Sequence, residues 1–492
     1  MIKTILLRSL FISCLTCKNT TDFLKSMKYI PHLPLYTDLY EITMASGYWQ
    51  TGKTDEHAVF NYFFRDYPFD GGYVVFAGIK DFLYALNHYE FDHESMEYLK
   101  KQGFRDDFIA YLQKLSLTVE IESVPEGSIV FPGEPLITLS GPLLQCQLLE
   151  TMLLNQVNFQ SLIATKASRI KQAAGEKNVM DFGLRRAQGI GGLQATRAAY
   201  IGGIDATSNV WSAMEYQIPA SGTVAHSWVQ SFQTELEAFR TYAERNPDTT
   251  TLLIDTYDTL NSGIPNAITV AKELEEKGHR LVAVRLDSGD PVKLSRKVRT
   301  ILDKAGLEYV KIALSDQLDE YVIDDLLNNG APIDLFGVGT RLVTGNETPA
   351  LDGVYKISEI SGQPVAKRTD NPRKQSLPGH KSIIRLYDDE NSMIGDVICL
   401  KQEVRQLAEA RLDISELHPD IPSFAGYTEL LEPITYKGEL ADITQPHESR
   451  EHARIELQKL DDSFKRLKNP ERYPVWVSQG LSNLQEKITP KI

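Results

Sequence analysis

Between Val179 and Gly345 the chain repeats one pattern seven times: a short apolar run, a polar end, then a helical stretch. The runs are VMDFG near Asp181, GGIDATSN near Asp205, IPASGTVAH near Thr223, LLIDTYD near Asp255, LVAVRLDSGD near Arg285, VKIALSD near Ser315 and IDLFGVGT near Gly337. These positions stand 24, 18, 32, 30, 30 and 22 residues apart, too far for hairpins and right for strand–helix units. Such units imply parallel strands, and a parallel β/α barrel whose polar strand ends ring one mouth is the natural closure. The rival is an open doubly wound sheet, but no GxGxxG opens a helix after the first run.

The flanks read differently. From Asp38 to about Leu139, strand-like runs at Ala58–Phe64, Tyr73–Ile79 and Thr118–Ser123 mix with helical patterns, and Val124–Pro142 alternates apolar and polar residues between Pro/Gly turns. This predicts an α+β unit with an antiparallel sheet, followed by a long helix from Leu143 to about Ala174. After Gly345 the alternation returns at Gly353–Ile357, Ser382–Tyr387 and Met393–Leu400, runs expected to rejoin the first unit. Pro446–Leu467 has helical spacing and reads as a surface helix. The expected division is an extension over 1–26, an α+β unit with connecting helices over 27–178, the barrel over 179–345, a returning segment over 346–445 and a terminal helix and tail over 446–492.

At 492 residues there is chain for two or three units, and 42% hydrophobic with 24% charged residues is an ordinary globular balance. A net charge of -14 argues against a nucleic-acid surface, though not against a local basic pocket for phosphate. The four cysteines, Cys14, Cys17, Cys146 and Cys399, are too few and dispersed for a disulfide framework, which fits a reducing compartment, the cytoplasm. Cys14 and Cys17 form a CxxC without a second ligand pair, so no metal ligands are assigned. The apolar stretch Ile5–Leu15 is broken by Arg8 and Ser9 and is too short to span a bilayer; Met27 is a candidate start.

Five motifs at the run ends carry groups that can do chemistry. His226, in SGTVAHSW, stands where a helix begins, and an imidazole there can act as nucleophile or general base, or merely as a solvated capping residue. Asp255 and Asp258, in LLIDTYD, fall in the turn beyond a strand and could equally cap the next helix. RLDSGDP places Arg285, Asp287 and Asp290 together: a guanidinium for an anion, carboxylates for ribose hydroxyls or Mg²⁺, or else solvated charges on a glycine turn. FGVGTRLVTG, with Gly337, Gly339 and Thr340, can bring backbone N–H groups to a phosphate or serve as a structural turn. DFGLRR joins Phe182 to Arg185 and Arg186, a ring for stacking beside charges for an anion, or a buried Phe flanked by surface arginines. All five fall on the same ends of consecutive predicted strands, and the barrel would gather them in one mouth.

These motifs in this order, with YTDLYEITM at Tyr36–Met44, resemble the nicotinate phosphoribosyltransferases from about Leu35 to Tyr355. The resemblance implies a type II phosphoribosyltransferase-like β/α barrel joined to a smaller sheet domain, in a homodimer with shared sites. It implies nicotinate, phosphoribosyl pyrophosphate and ATP as substrates, with Mg²⁺, and no nucleic-acid or membrane partner. Tyr36 would reach a neighbouring protomer's pocket and stack on the pyridine opposite Phe182. Arg285 would pair with the nicotinate carboxylate, supported by Thr223, and Asp287 would face the ribose. Gly337, Gly339 and Thr340 would hold the 5-phosphate, with Arg185 nearby. His226 would be phosphorylated by ATP and oriented by Asp255. The sister reading is a nicotinamide phosphoribosyltransferase, which an extra pocket carboxylate such as Asp205 would favour. A non-catalytic nucleotide-sensing barrel would lack His226, Asp255 or Arg285, and all three are present.

Overall fold

The computed structural model describes residues 30–367, 375–436, 439–440 and 446–488; the CxxC and the candidate start at Met27 lie outside them. Six of the seven runs form strands: Asn178–Asp181, Ala206–Thr207, Thr251–Leu253, Ala283–Leu286, Lys311–Ser315 and Leu335–Val338. All pair in parallel, in the order 206–207, 178–181, 335–338, 311–315, 283–286, 251–253. The seventh run, around Thr223, makes only a parallel bridge, Thr207 to Ala220. Pro219 cannot donate to a ladder and Gly222 adds no side chain to pack, so this run stays irregular. No strand pairing joins Ala220 to Thr251–Leu253 among the described residues, so the wall has an unladdered seam. The sheet is nevertheless curled: Ala206 and Ala220 at one edge, Thr251 at the other and Ala313 and Leu335 in the middle line a single cavity of about 680 Å³. A flat sheet could not bring its two edges and its centre to one space.

The smaller domain is built on a seven-stranded sheet in the order Gln363–Pro364, Gly353–Ile360, His57–Phe64, Ile137–Pro142, Glu120–Ser123, Glu432–Tyr436, Glu439–Leu440. His57–Phe64 pairs antiparallel with Ile137–Pro142 on one side and Gly353–Ile360 on the other, so the chain does return here after the barrel. The expectation for the other two late runs is corrected: Lys381–Tyr387 and Met393–Leu400 do not join this sheet. They form a third one with Gly426–Glu429 and Val475–Val477. Alternating polarity identifies a strand but not its neighbour, and the edges of the seven-stranded sheet are already taken by two-residue strands.

The predicted long helix is two, Leu143–Leu148 and Glu150–Ala174, the second ended by Gly175 at φ 58. Buried positions run round much of its circumference, as expected for a helix packed between cores rather than on a surface. Leu153, Val157 and Leu162 belong to the core of the smaller domain, and Ile163, Ala167 and Ile170 to the core of the barrel. Its C-terminal half is fixed to the barrel by fully buried charges: Glu320 accepts from Arg169 Nε at 2.9 Å and pairs with Lys166 at 2.7 Å. The terminal stretch is likewise two helices, Pro446–Lys459 and Asp462–Lys465.

Candidate active site

The register of the parallel sheet sets the height of every side chain in the barrel. Ser315 lies opposite Gly337, Gly337 opposite Met180, and Arg285 opposite Ala313 one row below. Residues two apart face the same way along a strand, so Arg285 and Asp287 emerge on one side, next to Ser315 on the neighbouring strand.

Arg285 is the hub. Its Nε–H donates to Ser315 Oγ at 3.0 Å, and its Nη1 donates to the Thr223 hydroxyl and to the Val224 carbonyl at 3.2 Å. Its Nη2 donates to Asp287 Oδ1 at 3.1 Å, and its guanidinium carbon is 5.8 Å from the Phe182 ring centroid. Asp287 Oδ1 also accepts from the Ser315 hydroxyl, and Oδ2 stands 3.6 Å from His226 Nε2. Burial pushes the Asp287 carboxyl up. The Ser315 hydrogen bond, the Arg285 charge and hydrogen bond, and His226 outweigh burial and hold it below its ordinary range.

His226 opens the helix His226–Gln230, and its Nδ1 shares a 3.0 Å hydrogen bond with Thr256 Oγ1. The expectation that Asp255 orients this ring is corrected. Asp255 Oδ2 accepts from the Asp287 backbone N–H and the Ser288 hydroxyl, each at 2.7 Å, and so is committed to the turn after the next strand. Thr256 and Asp287 hold the imidazole instead, while Asp255 Oδ1 is buried without a partner. Asp258 and Asp290 are helix caps: Asp258 accepts from the N–H groups of Leu260 and Asn261, and Asp290 from Lys293 N–H at 3.0 Å.

Phe182 reaches this mouth through a turn fixed by Asp181. That carboxylate is 1% exposed, which raises its pKa, and it accepts from Gly183 N–H, Thr196 and Thr207 at 2.7–2.9 Å. Gly337 makes room for the ring: a Cβ there would fall 2.5 Å from Phe182 side-chain carbons. At Gly339 a Cβ would sit 3.2 Å from the Phe182 carbonyl. Thr340 follows as the first residue of the short helix Thr340–Val343. Phe182, Thr223, His226, Arg285, Asp287, Gly337 and Gly339 are thus gathered at the C-terminal ends of the strands, with Asp255 immediately behind.

Two further expected site residues stand outside the Arg285 hydrogen-bond network. Arg185 is exposed on the turn Leu184–Arg186, which packs against the short helix Thr340–Val343. Tyr36 donates its hydroxyl to Asn155 at 2.7 Å and lines a different cavity of about 590 Å³ with Phe159, Arg186, Gln194 and Val343. Asp205 does not stand beside Phe182 as a free acceptor either: its oxygens are taken by Lys171, Arg450 and the Val179 N–H, each at 2.9 Å. Sequence reasoning passed over Ser288, Thr256 and the side chain of Ser315. Hydroxyl residues are too common for their type alone to mark them; the only signal was position, one step beyond Asp255 and Asp287 for Thr256 and Ser288, and the polar end of its own run for Ser315. Asp316 and Gln317 follow Ser315 at φ 93 and 45, consecutive non-glycine residues in a region side chains rarely occupy. No group of three or more His, Cys, Asp or Glu side chains suited to a metal occurs among the described residues.

Three family profiles match in succession: the nicotinate phosphoribosyltransferase N-terminal domain over residues 35–158, the nicotinate phosphoribosyltransferase family over 177–413 and its C-terminal domain over 380–485. The chain belongs to the nicotinate phosphoribosyltransferase family. It is 41% identical over 469 residues to the nicotinate phosphoribosyltransferase of Bacillus subtilis, covering 93% of this chain and 95% of that one. It is 35% identical over 518 residues to that of Homo sapiens, covering 92% and 96%. The crystal structure of human nicotinic acid phosphoribosyltransferase superposes with a TM-score of 0.80 at 31% identity, covering 92% of this chain and 99% of that one. A nicotinate-nucleotide pyrophosphorylase from Pyrococcus furiosus, 24% identical with a TM-score of 0.67 over 91% and 99%, shares the fold. This member of the nicotinate phosphoribosyltransferase family is therefore an enzyme on a type II phosphoribosyltransferase-like barrel, and none of its described helices is long and apolar enough to cross a membrane.

Proposed function

We propose that the mouth of the barrel transfers phosphoribose from phosphoribosyl pyrophosphate to nicotinate in NAD salvage, and that His226 couples the transfer to ATP hydrolysis. The observation that carries the reading is the Arg285 guanidinium, held by Ser315, Thr223 and Val224 within 5.8 Å of the Phe182 ring. A fixed cation beside an aromatic face suits a planar aromatic acid, whose ring packs on Phe182 while its carboxylate meets Arg285. Asp205, neutralised by Lys171 and Arg450, offers no spare carboxylate for an amide, which supports nicotinate over nicotinamide.

The Gly337, Gly339 and Thr340 loop receives the 5-phosphate, with Arg185 near its rim, and Asp287 faces the ribose. The pyridine nitrogen then forms its bond to C1 of the ribose as the C1–oxygen bond to pyrophosphate breaks. Positive charge grows on the sugar, so the protein's contribution is alignment and charge stabilisation rather than strong base catalysis. The orphaned buried oxygen of Asp255, with Asp287 beside it, fits one Mg²⁺ bound jointly with substrate phosphates, as this ion is usually held. When bound, Mg²⁺ neutralises charge on the departing pyrophosphate. His226 takes the terminal phosphoryl of ATP on a ring nitrogen, releasing ADP, and later yields it to water. Phosphorylation adds nearly two negative charges beside Asp287, which alters how the mouth holds anions.

The exposed apolar side chains of Leu39 and Tyr40, and of Val210 and Met214 at 76% and 71% exposure, support a homodimer that covers them. In it Tyr36 of the partner subunit closes the pyridine site. The test is turnover with phosphoribosyl pyrophosphate and Mg²⁺, comparing nicotinate with nicotinamide, with and without ATP, in the native chain and in His226→Ala. Nicotinate turnover stimulated by ATP, with the stimulation lost in His226→Ala, is the expected result. Preference for nicotinamide, or ATP stimulation that survives the substitution, sinks the assignment.

A further inference from the structure

Arg285 and Asp287 stand two residues apart on the same side of one strand end, and such a pair ordinarily closes on itself. A guanidinium presents Nε–H and Nη2–H side by side, and a carboxylate accepts both at once in a two-pronged ion pair. That does not happen here. Arg285 Nε–H is given to Ser315 Oγ at 3.0 Å, and the Ser315 hydroxyl proton goes to Asp287 Oδ1. Only the Nη2 contact at 3.1 Å joins the two charges directly, and Asp287 Oδ2 stays turned toward His226 at 3.6 Å. Ser315 is 6% exposed and anchored on the adjacent strand, where it lies opposite Gly337.

We infer that Ser315 is a positioning residue that wedges Arg285 and Asp287 apart, keeping the guanidinium available to an anionic ligand and one carboxylate oxygen available to the imidazole. A serine hydroxyl suits this place because it accepts from Nε–H and donates to the carboxylate at the same time. Of the five N–H bonds of Arg285, four are committed to Ser315, Thr223, Val224 and Asp287. The remaining Nη2–H has no hydrogen-bond partner among the described residues and is the one left for an anionic ligand; swinging the guanidinium round to meet Asp287 with two bonds would displace it. Without the hydroxyl, Nε–H and Asp287 Oδ1 both lose a partner, and each is the nearest replacement for the other. The inference rests on Arg285 being the anchor for the nicotinate carboxylate.

The experiment compares steady-state kinetics of the full-length chain with Ser315→Ala, Ser315→Thr and Arg285→Ala, varying nicotinate and phosphoribosyl pyrophosphate separately. Ser315→Ala is expected to raise KM for nicotinate by about tenfold and lower kcat by less, with KM for phosphoribosyl pyrophosphate within about twofold of native. Ser315→Thr, which keeps the hydroxyl, is expected to restore most of the difference, and a crystal structure of Ser315→Ala should show Arg285 and Asp287 joined by two hydrogen bonds. Unchanged KM for nicotinate in Ser315→Ala, beside a large increase in Arg285→Ala, overturns the wedge and leaves the anchor standing. Equal loss in Ser315→Ala and Ser315→Thr also overturns it, since the hydroxyl would then be irrelevant. If Arg285→Ala itself leaves KM for nicotinate unchanged, the anchor assignment fails and the wedge falls with it.

Discussion

Lys381 shows how one buried side chain can make the whole molecule sensitive to alkaline pH. It is 4% exposed, and among the described residues its ammonium donates to the carbonyls of Leu377 and Gly379, each at 2.8 Å. Burial pushes its pKa down from 10.5 to about 7. Between those values the unfolded chain carries a proton at this site that the folded chain does not, so stability rises with pH across that window and is insensitive to this group below it. Urea midpoints measured from pH 7 to pH 10 should therefore climb more steeply in the native protein than in Lys381→Met; parallel curves would count against the assignment. Charged residues at the ends of apolar runs were legible in the sequence because charge at a strand end is conspicuous, and so Arg285, Asp287 and His226 could be named. Their hydroxyl partners were not legible: Thr256 and Ser288 acquire meaning only when the turn brings Asp255 and His226 within reach.

At the scale of single elements, Asp290 separates the structural from the chemical content of the RLDSGD turn. It caps the helix Pro291–Lys304, accepting from Lys293 N–H and pairing with the Lys293 ammonium at 2.8 Å, and Pro291 follows at the first helical position. Asp290→Ala should lower the urea midpoint in equilibrium unfolding, because the first turn of the helix loses its cap. Nicotinate and phosphoribosyl pyrophosphate KM values should stay near native, and a large KM increase would instead place Asp290 among the binding groups. Six strands were readable because each apolar run was bounded by turn residues at a spacing that left room for a helix. The seventh failed where Pro219 and Gly222 interrupt it. That the Glu150–Ala174 helix lies between two cores was not readable, since its buried faces are only distinguished by what packs on each.

For the molecule as a whole, the distribution of the site between subunits can be read from a mixture. If Tyr36 completes the mouth of the other protomer, Tyr36→Ala and Arg285→Ala should each be nearly inactive alone. Refolding them together at equal amounts should restore about a quarter of native sites, because half the dimers are mixed and one site in each is intact. No recovery would mean that each protomer is self-sufficient or that no dimer forms. Strand identity was legible at this scale but partnership was not, and the third sheet went unforeseen because Lys381–Tyr387 and Met393–Leu400, buried almost throughout, carry nothing in their own pattern that names a neighbour. The placement of Gly353–Ile360 beside His57–Phe64 has a consequence for the newborn chain. Until that later strand leaves the ribosome, His57–Phe64 presents an open row of backbone N–H and C=O groups, for on the order of 15–60 s at roughly 5–20 residues per second. The smaller domain is thus the first to begin and among the last to finish, and while it waits its bare edge is the place where a chaperone, or another unfinished copy, would take hold.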